Sequence, residues 1–195
     1  MKLSKSPIIA AVLAILVSAC TAPDTKTFPD ITFTHLPKLH LAVGQVVTSS
    51  SFKSSYDLPR VENEMPVVPE KVVRRWAADR LVATGEGTGI ATYTVTDARM
   101  TASALATDET LKDWFTDEQA VRYDISLAAT LTIDDPAASA AGNAEAAASH
   151  SITVPEGATL NDREQAIFEM ISKTAANLDR ALEANIRRHL PGWIR

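Results

Sequence analysis

Apolar residues recur along this chain in two rhythms. The first has a period of two. Val121, Tyr123, Ile125, Leu127, Ala129, Leu131 and Ile133 form an unbroken apolar face, with Arg122, Asp124, Ser126, Thr130 and Thr132 opposite. This pattern predicts a strand with one buried side and one wet side, as in an antiparallel sheet covered on a single face. Asp134-Asp135-Pro136 turns the chain, and residues 142–154 follow as a weaker, alanine-rich partner strand. Upstream, Ala91, Tyr93 and Val95 alternate with Thr92, Thr94 and Thr96 in another strand. Leu39, Leu41 and Val43 share one side of a strand over 38–47, where Gly44 marks a bulge or bend. Residues 48–69 are polar and then proline-bearing, which predicts a long loop with room for a short edge strand.

The second rhythm is helical. Val72, Val73, Trp76, Ala77 and Leu81 fall near one stripe, with Pro69 suited to the first turn and Gly85 to the stop. Ile167, Ile171, Ala175, Leu178, Leu182 and Ile186 recur at three- and four-residue steps in a longer helix. Asn161 with Glu164 suggests its capping box, Arg187, Arg188 and His189 suit its negative end, and Pro191-Gly192 stops it. The expected order is strand, helix, three strands, long helix. The fold class that follows is α+β: a two-layer sandwich with an antiparallel sheet of about four strands and two helices on one face.

Ahead of this body the pattern changes. Lys2 and Lys5 precede a short apolar run from Ile8 to Val17, then come Ser18, Ala19 and the single cysteine, Cys20. Basic start, short apolar core and small residues at the scissile side make a secretory leader rather than a membrane span. A cysteine just after the small residues resembles a bacterial lipobox, which implies that Cys20 is acylated (palmitate is the usual amide-linked chain) and becomes the first mature residue. Residues 1–19 are then the signal peptide, 20–37 a lipidated flexible tether marked by Pro23, Pro29 and Pro37, and 38–195 a single domain. One acyl chain binds a bilayer marginally and two bind it stably, so a multiply acylated Cys20 is a sufficient membrane anchor. Thr21, rather than Asp, follows the cysteine. In the lipoprotein sorting that this resembles, that favours the periplasmic face of the outer membrane.

Without the leader's two lysines the chain holds 17 basic residues against 24 acidic ones. An acidic body of this kind argues against a nucleic-acid partner, which needs clustered positive charge. With Cys20 acylated, no thiol remains for a disulfide, a metal or a nucleophile.

Catalytic signatures do not emerge. His35, His40, His150 and His189 are scattered without metal-ligand spacing, so no metal or cofactor is expected. The acid pairs Glu62/Glu64, Asp108/Glu109, Asp117/Glu118 and Asp134/Asp135 fall in expected loops. Gly85-Glu86-Gly87-Thr88-Gly89 follows a helix and precedes a strand, the reverse of a phosphate cradle. Serines cluster at 49–51 and 54–55, with His40 as the nearest candidate base, but no nucleophile elbow is present. Trp114 and Phe115 in a connection, and Trp193 near the end, are candidate contacts for a partner or membrane.

Residues 65–81 and 154–170 are similar to stretches of a largely uncharacterised family of alphaproteobacterial outer-membrane lipoproteins. In element order the chain also resembles auxiliary lipoproteins of envelope lipid transport, such as the lipopolysaccharide-assembly plug protein and the lipoprotein of the paraquat-inducible Pqi system. The anchor, the acidic body and the lack of catalytic constellations lead to the expectation of a non-enzymatic accessory or scaffold in an envelope machine, with an envelope protein partner. Two alternatives stand beside it: a small-ligand or lipid-binding module using the sheet–helix groove, and a hydrolase built on the serine-rich loop.

Overall fold

A computed structural model describes residues 27–105 and 120–195. Among the described residues six strands and two principal helices follow one another: β1 Leu39–Leu41, β2 Gln45–Ser50, α1 Pro69–Arg80, β3 Leu81–Ala83, β4 Ile90–Leu105, β5 Ala120–Asp135, β6 Ala140–Pro155 and α2 Leu160–His189. Both helices cover one face of a four-stranded sheet in the order β2-β4-β5-β6, and β1 pairs with β3 in a small second sheet. The architecture is the expected α+β sandwich.

The sheet is mixed rather than wholly antiparallel. β4, β5 and β6 run antiparallel in long ladders, whereas β2 lies parallel to β4. The reason is connectivity: α1 intervenes between β2 and β4, and a helical crossover is what returns a strand in the same direction. The single strand expected over 38–47 is split. Leu39–Leu41 joins β3, and Gln45–Ser50 joins β4. Gly44 makes the break, because its backbone lies so close to the glycine loop that a Cβ there would meet the Gly87 carbonyl oxygen at 3.0 Å. Leu81 also leaves the helical stripe, since α1 ends at Arg80 and Leu81 opens β3.

Inside the sandwich the period-two face of β5 is buried from Tyr123 to Ile133. β4 keeps its apolar side inward over its central length through a register shift between Val95 and Asp97. Ala91, Tyr93 and Val95 point in before it, Ala98 and Met100 after it, and a strict alternation would have turned the second set outward. β6 is longer than expected. Its alanines are an asset here, because Ala144, Ala146 and Ala148 face the helix layer and let α2 lie close to the strand. The cap of α2 sits two residues earlier than expected: Thr159 Oγ1 accepts from the Asp162 N–H at 3.2 Å and donates to its carboxylate at 2.7 Å. The other face of the sheet carries hydroxyls and charges, among them Thr92, Thr94, Thr130, Thr132 and Glu145, and no helix covers it among the described residues.

Candidate functional site

The part expected to be a loose tether holds the first surprise. Within it, residues 28–36 lie along the helix pair as a strap. Phe28 stacks on Phe168 of α2 with ring centroids 5.1 Å apart, and Phe33 is buried in the core. The Phe33 N–H donates to Asp79 Oδ2 of α1 at 2.8 Å, and Arg75 reaches Asp30 at 3.3 Å. The packed body therefore starts before residue 38.

Beneath the strap, α1 and α2 are joined by a buried ionic hub. Arg80 is 0% exposed. Its Nε donates to Asp179 Oδ1 at 3.0 Å, and its Nη2 bonds Glu183. Trp76 Nε1 donates to the same Asp179 oxygen at 2.7 Å. On the solvent side Arg187 meets Glu183 at 2.7 Å. Two cations and two carboxylates thus balance, which a buried charge requires. Arg80 Nη1 has no hydrogen-bond partner among the described residues. Burial pushes the Glu183 carboxyl up, but the hydrogen bonds and charges of Arg187 and Arg80 outweigh that and hold it below the usual carboxylate range. Charged residues on an apolar stripe were the legible signal: Arg80 follows Trp76 by one turn, and Asp179 sits between Leu178 and Leu182.

The groove between sheet and helices is filled rather than open. Trp76 stacks on Tyr93 at 5.3 Å, and the Tyr93 hydroxyl donates to the Val73 carbonyl at 3.2 Å. Burial raises that hydroxyl's pKa far above its ordinary value. Phe168 stacks on Phe28 of the strap. Clefts lie elsewhere. One of about 360 Å³ runs between the strap and α2, lined by Ile31, Phe33, Leu36 and Ala176, with His35 and Arg180 also on its wall. Another of about 370 Å³ opens where the strap meets the start of α1. A third, about 660 Å³ and of mixed polar and apolar lining, runs along β6, with Thr96, Thr130, Asn143 and Glu145 on one side and Asn185 and His189 of α2 on the other.

Other expected residues are dispersed. The Ser49 hydroxyl pairs with Thr94 at 2.9 Å, Ser51 donates to the Val95 carbonyl, and Ser55 donates to Asp57. His40 is exposed on β1, where its carbonyl accepts from the Arg195 N–H, so the structure does not bring it to these serines. Glu62 is buried; burial pushes its carboxyl up, but bonds from Arg60 and the Ser55 N–H hold it below its ordinary range. The glycine-rich stretch joins β3 to β4. Among the described residues, no three histidine, cysteine, aspartate or glutamate side chains converge on a metal-sized site. Trp193 is half-buried against the core, and a Cβ on Gly142 would come within 3.0 Å of its ring. Cys20, Trp114 and Phe115 lie outside the described residues, as do the signal peptide and the pairs Asp108/Glu109 and Asp117/Glu118.

No family model matches this chain, and no curated protein does. Among solved structures it is similar to a minor lipoprotein from Acinetobacter baumannii at 13% identity, covering 75% of this chain and 93% of that one, with a TM-score of 0.36. It is likewise similar to the rare lipoprotein B from Shewanella oneidensis at 13% identity, covering 72% and 92%, with the same TM-score of 0.36. Similarity at that level leaves the functional argument to the residues themselves.

Proposed function

We propose that this chain is a lipid-anchored periplasmic lipoprotein of the outer membrane, serving as a non-enzymatic accessory or scaffold in an envelope assembly, with lipid transport the favoured setting. The observation that carries the reading is the order basic start, short apolar run, Ser18-Ala19-Cys20. The acidic body supports attachment through acyl chains rather than through charge. The strap supports it further, because it fastens the chain that leads from Cys20 onto both helices.

Fractionation tests the anchor. Cys20→Ser should appear folded in the aqueous fraction, and persistent membrane attachment would overturn this role for Cys20. Thr21→Asp should shift the protein to the inner membrane, and unchanged fractionation would overturn the outer-membrane assignment. Crosslinking in intact cells followed by pull-down should recover an envelope partner.

A second reading, an amphiphile-binding module, has the apolar strap cleft in its favour. Its location is the cleft under the strap, not the filled sheet–helix interface. Native mass spectrometry of purified protein should then show a bound lipid-sized mass, lost in Ala176→Trp; an unliganded mass in both would remove this reading.

A further inference from the structure

Four of the exposed large apolar side chains gather at one end of the body. Tyr56, Leu58, Leu105 and Leu160 are 79%, 82%, 39% and 65% exposed. Leu105, Ala120 and Pro155 form the last rung of the long ladders. Leu160 begins α2 just beyond that rung. The loop with Tyr56 and Leu58 is pinned beside it, since the Ala102 N–H donates to the Pro59 carbonyl and Arg60 bridges Thr101. Val47 and Ile90, also exposed, lie at the opposite end, where β2 and β4 start.

The chain enters the body toward the same end. Phe28 rests on Phe168, about two turns into α2, while Phe33 reaches Asp79 and the strap cleft extends to Arg180. The strap therefore runs from the start of α2 toward its finish, and its upstream end points to the Leu105–Leu160 end. Seven residue steps separate Cys20 from Thr27, and at full extension they span at most about 25 Å.

We propose that this end of the sandwich rests on the bilayer that holds Cys20, with Tyr56, Leu58, Leu105 and Leu160 as a second, apolar contact that fixes the body's orientation. The proposal rests on the lipid-anchor reading. Its occupant is a lipid surface because a short leash delivers the apolar end to one, and because a Tyr beside leucines suits the interfacial zone. Asp57 and Asp162 stand next to these residues, so the contact works by apolar burial and not by attraction to anionic headgroups.

The test uses the full lipidated chain in phosphatidylethanolamine–phosphatidylglycerol vesicles. Because Cys20 is the sole native cysteine, Leu58→Cys, Leu160→Cys and Ala141→Cys each supply one free thiol for an environment-sensitive fluorophore. Ala141 lies at the far end of the sheet, opposite Asp134. Labels at 58 and 160 should shift to the blue and be quenched by a bilayer-borne quencher about twofold or more relative to 141. Equal quenching at all three sites in vesicles that carry the protein on flotation would overturn the orientation and leave the anchor standing. Protein that fails to float with the vesicles would overturn the anchor reading and this proposal together. Leu58→Ser with Leu160→Ser, both exposed, checks the contact without disturbing the core: flotation should persist through Cys20, while a label at Tyr56→Cys should lose its blue shift.

Discussion

Arg80 and Asp179 show what a single buried charge demands of its neighbours. Asp179 accepts from both Trp76 and Arg80, so removing its carboxylate leaves two donors buried without an acceptor. Asp179→Ala should cost about 3–5 kcal/mol of unfolding free energy, read from urea denaturation. Glu183 supplies a pH dependence. Its carboxyl is held below its ordinary value, so the stability it contributes is fully present above the unfolded value of about 4.3 and is lost as pH falls through the folded value. The thermal midpoint should drop as pH falls below about 4.3, and Glu183→Gln should flatten that drop. At this scale the sequence was partly legible. Trp76 and Tyr93 are readable as core from their spacing, but the partnership of Arg80 with residues about a hundred positions away is not, because local periodicity carries no information on distant pairs.

At the scale of elements, β5 and α2 could be read almost directly, since each has an unbroken periodic face and one environment on each side. β6 is legible only as a weaker strand over 142–154, because small residues are poor strand formers and acquire their value from the helix that lies on them. The parallel pairing of β2 was hidden for a similar reason: a strand's own pattern does not state its neighbour's direction. The cap of α2 shows the limit of motif reading, as both Thr159 with Asp162 and Asn161 with Glu164 satisfy the rule, and the turn after Pro155 selects the first. Thr159→Ala should cost about 1 kcal/mol, seen as a lower midpoint in thermal denaturation. The strap is hidden in the sequence because three prolines near its length resemble a spacer, while Phe28, Ile31 and Phe33 supply the anchoring that a spacer lacks. Phe33→Ala should loosen it, so that limited proteolysis cuts ahead of residue 38 while the sandwich resists.

For the whole molecule, one layer of helices on one sheet leaves the second sheet face wet and both ends distinct. The central rungs of β4, β5 and β6, around Tyr93, Leu127 and Leu131, carry the densest burial and should show the slowest amide exchange. The candidate site was the least legible part. The lipobox-like stretch speaks from sequence alone, whereas the strap, the hub and the apolar end exist only once distant segments are brought together.

The small sheet joins segments from opposite ends of the described body. Leu41 bridges Ile194, the Ala42 N–H donates to the Trp193 carbonyl, and the Arg195 N–H donates to His40. β1 therefore has β3 along one side and residues 193–195 along the other, so removing those three residues would bare an edge of β1 and leave the Ala42 N–H without its acceptor.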